Sequence, residues 1–361
     1  MNDELQQLEQ VDRTYVIWNH RRLAYFAGCD YFRLSSHPAV IEAVKQGLDQ
    51  YGLNVAASRL TTGNHPLYAR LEGALAEFFA APAALLTSAG YTTNQIVARA
   101  VREDFSHVLI DARAHVSLRD AAACFSRPVL EFKHRDARDL ARRLRGKTKP
   151  IVLTDGVFSH DGSVAPVGEY LKMLPAGGRI LLDDAHSAGV LGAAGRGTPE
   201  YAGVPRRRII QTVTLSKAFG VYGGAILCER SLRRRIIAGS SIFAGSTPLP
   251  LPLANAALTA IGVLRRDPGL RCRLYHNVNY VKSALRTRGF ATPETPAPIV
   301  ALIPRDAAET EALRRRLLSH WVFPSFIRYP GGPESGYFRF VISSEHSKKQ
   351  LDALLASLHE H

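Results

Sequence analysis

Apolar positions in this chain recur in two alternating forms. The first is the short unbroken run: Ala84-Leu85-Leu86-Thr87, His107 to Ile110, Val129 to Phe132, Pro150 to Thr154, Arg179 to Asp183, Ile209 to Thr214 and Gly224 to Leu227. Each is too short for a stable helix and apolar on both faces, as expected of strands in a sheet covered on both sides. The second form has apolar residues at helical spacing. It appears in Val40-Ile41-Val44-Leu48 after His37-Pro38, from Pro66 to Phe79, in helices opened by Gly90 and by His115, and from Ala137 to Leu144. Strands alternating with helices predict an α/β fold built on a mostly parallel sheet.

The two ends read differently. A short helix from Glu4 to Val11 and a strand from Leu23 to Phe26 are expected before the series begins. A proline-rich break, Thr247 to Pro252, precedes a helix from Leu253 to Leu264. Beyond Asp267, arginine-rich helices at Leu274 to Arg288 and Ala308 to Leu318 flank a strand at Ile299 to Ile303. Tyr337 to Ile342 and a final helix follow. Three parts are predicted: an amino-terminal segment, 1–36, packing with the small domain; a large domain, 37–267; and a small α/β domain, 268–361.

One lysine stands out within this pattern. Lys217 is the only charge between Ile209 and Cys228. An amine deprived of water loses proton affinity, and a neutral amine attacks a carbonyl to form an imine. The same residue also reads as a snorkelling lysine. A second stretch, Ile180-Leu181-Leu182-Asp183-Asp184-Ala185-His186, is a strand ending in carboxylates and a histidine. Ligands of open parallel sheets sit at such ends. An imine-forming lysine with an acid to pair a pyridinium nitrogen suits pyridoxal phosphate chemistry. A metal reading of Asp183 and His186 lacks a third ligand at recognisable spacing, and no metal is expected there.

Other candidates sit near strand ends. Gly90 begins a helix whose amides suit an anion. Gly192 to Gly197 is glycine-rich without the dinucleotide spacing and reads as a loop. The loop Ser58 to Asn64 carries one arginine, Arg59, and Arg339 lies in an alternating strand with aromatic neighbours; each reads either as a ligand contact or as ordinary surface.

Composition narrows the class. With 361 residues, 46% of them hydrophobic, the chain can bury a large core. No apolar run is long enough to span a bilayer, and the acidic start Met1-Asn2-Asp3-Glu4 is unlike a signal peptide. Four well-separated cysteines form no paired metal spacing, so a reducing, cytoplasmic setting is expected. The net charge of +14 attracts polyanions. The arginines are dispersed and no basic-aromatic patch occurs, so no specific nucleic-acid partner is expected. Coenzyme A and acidic acyl carrier proteins are the alternatives.

Taken together, these residues resemble the α-oxoamine synthases, a branch of the fold-type I pyridoxal phosphate enzymes. The resemblance is carried in order by Ala27 to Leu34 with His37-Pro38, Ser58-Arg59-Leu60 with Gly63-Asn64, Gly90-Tyr91 with Asn94, and His115 with Ser117. Asp155 to Ser159 with Asp161-Gly162, Asp183 to His186, Gly195-Arg196-Gly197 and Lys217 complete it. It covers nearly the whole chain.

The resemblance implies a mostly parallel large domain, a small α/β carboxy-terminal domain and pyridoxal 5'-phosphate as cofactor. Lys217 would bind the cofactor and move protons at the substrate α-carbon. Asp183 would pair the ring nitrogen, His186 and Ser159 the phenolic oxygen, and His115 would stack on the ring. Gly90, Tyr91 and Thr214 would hold the phosphate, with Ser246 reaching the partner subunit's cofactor in a homodimer. Arg339 would take the amino-acid carboxylate, with Cys29 and Arg59 at the substrate. The implied reaction joins a small amino acid, alanine foremost, to an acyl thioester with loss of carbon dioxide. A pimeloyl group on coenzyme A or a carrier protein is the first expectation.

The chain departs from the family pattern at Cys29, where asparagine is usual, at Arg33 for glycine, in Leu53 to Ala57, and at Gly245 for threonine. A sibling synthase with another acyl chain, or with glycine or serine, is therefore the alternative. A catalytically silent protein of this fold that binds nucleic acid is a further one.

Overall fold

The computed structural model describes residues 7–10, 12–330 and 332–358. Thirteen strands form three sheets among the described residues. The first is a hairpin array of β1 (Glu9–Gln10), β2 (Tyr15–Trp18) and β3 (Arg21–Ala24). The second comprises β4 (Ala83–Thr87), β5 (His107–Asp111), β6 (Val129–Phe132), β7 (Pro150–Asp155), β8 (Arg179–Asp183), β9 (Ile209–Thr214) and β10 (Gly224–Cys228). The third contains β11 (Ile299–Leu302), β12 (Phe326–Ile327) and β13 (Tyr337–Val341).

The central sheet runs in the order β4-β10-β9-β8-β7-β5-β6. Strands β5 to β9 are parallel, and β10 lies antiparallel to both β4 and β9. Alternate residues feed two cores. Val108, Ile110, Ile151, Leu153 and Leu181 pack toward helices Gly90–Val101 and Val116–Ala123. Leu109, Val152, Ile180 and Leu182 face helices Ala137–Leu144 and Val167–Met173. Burial on both faces explains the unbroken apolar runs. Each fully buried aliphatic side chain contributes about 1.5–3 kcal/mol.

Acidic residues gather where several of these strands stop. Three of them, β5, β7 and β8, end on aspartate: Asp111, Asp155 and Asp183. Parallel register places Asp155 directly beside Asp183. Three helix starts share another device. His37, His65 and His115 each accept the amide of the residue two further on, Ala39, Leu67 and Ser117, at 3.2, 3.1 and 3.2 Å. Each satisfies one of the donors that a helix start leaves unpaired.

The amino-terminal expectation needs correction. Residues 4–6 and 11 of the expected helix lie outside the described residues, and Glu9–Gln10 pairs antiparallel with β2 as strand. Residues 15–24 form a hairpin closed by Asn19 and His20, both with positive φ (48° and 58°). That two-residue turn fixes the register and moves the expected Leu23–Phe26 strand to Arg21–Ala24. The hairpin leans on the carboxy-terminal part: Ala24 donates to Trp321 O at 2.7 Å, and Phe323 donates back to Ala24 O at 2.9 Å. The third sheet, ordered β11-β13-β12, is antiparallel throughout. No described helix is long and apolar enough to cross a membrane.

Candidate active site

A cavity of about 310 Å³ opens at the carboxyl ends of β7, β8 and β9, lined by Gly90, His115, Asp155, Asp183, His186, Thr214 and Lys217 among others. Asp183 is buried. Its carboxylate accepts from Asn94 Nδ2 at 2.7 Å, Ser117 Oγ at 3.3 Å and the Ala185 amide at 3.1 Å. The next residue, Asp184, points the other way. It accepts from Ser187, Thr198 and Gln211 inside the protein. Alternation at the strand end thus gives one carboxylate to the cavity and one to the scaffold.

Lys217 follows β9 and brings its amine to 2.8 Å from His186 Nε2. Burial pulls this lysine below its ordinary range; Cys29, Asp183 and Asp155 oppose the shift, and Arg339 adds to it. Burial also holds His186 well below the usual imidazole range, with Lys217 the next cause. A neutral His186 accepting from the lysine through Nε2 has Nδ1–H left to donate to Tyr31 Oη, 2.6 Å away. Burial pushes the Asp155 carboxyl well up, helped by the neighbouring Asp183 charge, while Asp155 accepts the His115 amide at 2.9 Å.

His115 is oriented at both ring nitrogens. Nδ1 accepts from the Ser117 amide, which leaves Nε2–H for Tyr329 Oη at 2.9 Å. The two rings lie 27° apart in plane with centroids 6.1 Å apart. Across the cavity, the helix Gly90–Val101 starts without a side-chain cap. A Cβ at Gly90 would meet Thr214 Cβ at 2.7 Å, so only glycine lets this helix start approach Thr214. Thr214 Oγ1 lies 2.6 Å from Ser216 Oγ.

The structure brings together Lys217, Asp183, His186, His115, Gly90, Tyr91 and Thr214. Tyr91 is exposed and hydrogen-bonds Asp120 at 2.6 Å; that bond is the main reason its hydroxyl is pushed up to about 12. Cys29 sits beside Tyr31 and acts on Lys217 electrostatically. Arg339, on β13, reaches the Ser159 carbonyl at 3.4 Å, and its charge bears on Lys217 and His186. Two expected residues lie elsewhere in this chain. Arg59 pairs with Glu72 at 2.5 Å beneath Tyr68, and Ser246 Oγ donates to Ile242 O at 2.6 Å. Both line a separate small pocket with Phe243 and Pro248. Tyr31, Asn94, Asp155, Ser216 and Tyr329 join the site without having been assigned a part in it. Asn94, one turn into the Gly90 helix, Asp155, a strand-end acid like Asp183, and Tyr31, within the Ala27 to Leu34 stretch, carried a local sequence signal.

The donors fit pyridoxal phosphate. An enclosed amine, a buried carboxylate with three donors fixing its orientation, an uncapped helix start beside two hydroxyls, and a flat imidazole surround one cavity. Comparison with known proteins agrees. Residues 28–358 match the family model of aminotransferase class I and II. The 8-amino-7-oxononanoate synthase of Methylococcus capsulatus is 34% identical over 97% of this chain and 92% of its own length. The 8-amino-7-oxononanoate synthase 1 of Bacillus subtilis is 32% identical over 98% and 91%. Among solved structures, serine palmitoyltransferase of Sphingomonas wittichii superposes with a TM-score of 0.90 at 28% identity, covering 97% of this chain and 89% of that one. The 8-amino-7-oxononanoate synthase of Francisella tularensis superposes at 0.80 with 25% identity, covering 92% and 96%. With its Lys217 cavity at the strand ends and relatives matched over nearly their full length, this chain belongs to the α-oxoamine synthases of the class I and II aminotransferase family.

Proposed function

We propose that this chain joins alanine to a pimeloyl thioester with loss of carbon dioxide, the activity named for its relatives at 32–34% identity. The observation that carries the reading is the convergence of Lys217, His186 and Asp183 in one cavity. Bound pyridoxal phosphate supplies an aldehyde for the substrate amine and a pyridinium ring that draws electrons from the α-carbon.

Every other element of the reading belongs to residues of the chain. Lys217 Nζ, its proton affinity lowered by burial, would hold the cofactor through its aldehyde and would be the base for the substrate α-proton. Asp183, oriented by Asn94, Ser117 and the Ala185 amide, would accept the ring N–H. His186, its Nδ1–H donated to Tyr31, places Nε2 as an acceptor on the Lys217 side, where the phenolic oxygen would lie, with Ser159 nearby. His115 presents its ring face, held by Ser117 and Tyr329. The Gly90 and Tyr91 amides, with Thr214, take the phosphate. Arg339 receives the substrate carboxylate, with Cys29 beside it.

The reading includes a homodimer, in which Ser246 reaches the partner's cofactor, and keeps Arg59 as a substrate contact. It also includes a large domain, 37–267, and a small one, 268–361, with the amino-terminal segment on the latter; the Ala24 contacts to Trp321 and Phe323 support that division. Four unpaired thiols are in keeping with a reducing, cytoplasmic setting.

The test supplies the cofactor-loaded protein with alanine, glycine or serine and with pimeloyl or palmitoyl thioester, and follows thiol and carbon dioxide release. Both products from alanine with pimeloyl thioester support the reading. Release only from serine with palmitoyl thioester would move the chain to the synthase it superposes on at 0.90.

A further inference from the structure

A second constellation lies on the far side of the loop that follows β7. His134 opens the turn after β6, while His160 and Asp161 lie in the β7 loop, and one ligand atom from each falls within 4.8 Å of the others. Nothing in the spacing of 134, 160 and 161 resembles a metal motif. The topology of the sheet brings them together.

Three observations turn this cluster into a site. First, His134 Nδ1 lies 2.8 Å from Asp111 Oδ1, and Asp111 also accepts the Arg113 and Arg135 amides at 2.8 and 2.9 Å. A carboxylate so placed accepts, so His134 Nδ1 carries the proton and Nε2 presents a bare lone pair. This carboxylate–histidine arrangement is the one that orients imidazole toward a metal. Second, His134 Nε2 and His160 Nε2 are both buried without a hydrogen-bond partner among the described residues, and His160 as a whole is only 8% exposed. Buried imidazole nitrogens are seldom left unsatisfied. Third, His160 and Asp161 line a cavity of about 620 Å³ that gives an entry path, and Thr292 Oγ1 and Tyr337 Oη on its wall are likewise unpartnered.

We infer that His134, His160 and Asp161 form a binding site for one divalent transition ion of the zinc class, with Asp111 as the orienting partner of His134. Two imidazoles and a carboxylate suit zinc and its first-row neighbours and leave a coordination position open to water. Ligand atoms about 2 Å from a common ion lie ~3.3 Å apart, so the ion draws the three side chains together. Arg113 is the present competitor, its Nη1 4.0 Å from Asp161 Oδ2, and it is half exposed and able to swing away. The ion ties the end of β6 to the loop whose Ser159 carbonyl holds Arg339 and whose Gly162 packs under Ile299 of β11. It is thus a clasp between the central sheet and the third sheet, outside the Lys217 cavity.

The experiment uses the cofactor-loaded full chain, stripped of metal with a chelator and titrated with Zn²⁺ against a chromophoric competitor. Co²⁺ absorption serves as a second probe. One ion per chain is expected, with affinity at least tenfold weaker in His134→Gln and His160→Gln and about 10- to 100-fold weaker in Asp111→Asn. Each variant is checked for retained cofactor and a native circular dichroism spectrum. A gain separates the site from misfolding: Arg113→Ala is expected to bind the ion more tightly and to raise the thermal midpoint in zinc. Wild-type affinity in both histidine variants, no stoichiometric ion in the wild type, or no gain in Arg113→Ala overturns the inference.

Discussion

Two lysines of this protein are withdrawn from water, and only one of them is in a site. Lys217 looks into the strand-end cavity, 2.8 Å from His186 and within the field of Asp183 and Asp155. Lys282, on helix Gly269–Thr287, is 1% exposed and donates to the Thr295 carbonyl at 2.9 Å and hydroxyl at 3.3 Å. Burial brings Lys282 down to about 7, so it is partly neutral near physiological pH. The difference teaches that a depressed amine is not by itself a reactive one. Lys217 has a carboxylate at a strand end and an uncapped helix start across its cavity. Lys282 also lines a cavity, of about 510 Å³, but its amine is held by two oxygens of one threonine.

The largest effect that can break this comparison is expected from Lys217→Ala. Condensation should fall at least about 10⁴-fold, since a general base and the anchoring amine are lost together. Equivalent turnover in that variant would end the comparison at once, and steady-state thiol release measures it.

Next is Asp183→Asn, which keeps the shape but weakens the partner of the ring nitrogen. A loss of about 10²–10³-fold in kcat is expected, with the protein still folded. The reading of Asp183 as the working acid of the Asp183-Asp184 pair fails if Asp184→Asn lowers kcat as far without unfolding the chain.

Lys282→Met sharpens the other side through stability. The folded pKa near 7 lies below the unfolded value of about 10.4, so between them the unfolded chain binds a proton that the folded chain does not. Stability should therefore rise with pH across that window, on the order of a few kcal/mol in all, with the full penalty present below pH 7. Urea unfolding at pH 7 and pH 9 should show this gain in the wild type and lose it in Lys282→Met, while turnover stays within the range of ordinary surface variants.

The smallest effect concerns the His115 tether. Tyr329→Phe removes one hydrogen bond from Nε2 and leaves the Ser117 cap intact. A loss of about three- to tenfold in kcat is expected, corresponding to about 0.5–1.5 kcal/mol for a single hydrogen bond.

Much of this was legible in the sequence because burial on both faces leaves apolar runs in which any charge is conspicuous. Lys217 and Asp183 were visible for that reason, and the strands of the central sheet with them. Lys282 was hidden, since its arginine-rich helix reads as a solvated surface. Contacts between distant residues left no local trace. Tyr31 meets His186 across 155 positions, and Tyr329 meets His115 across 214. The hairpin of residues 15–24 was missed because its turn, Asn19-His20, lacks the glycine that usually marks one. The ion pair of Arg59 with Glu72 is one that sequence spacing does not reveal.

The most direct test loads the protein with pyridoxal phosphate, reduces it with borohydride, digests it and locates the added pyridoxyl mass. The account predicts modification of Lys217 alone, with Lys282 untouched despite its lowered proton affinity. Pyridoxyl on Lys282, or on neither lysine, would contradict it.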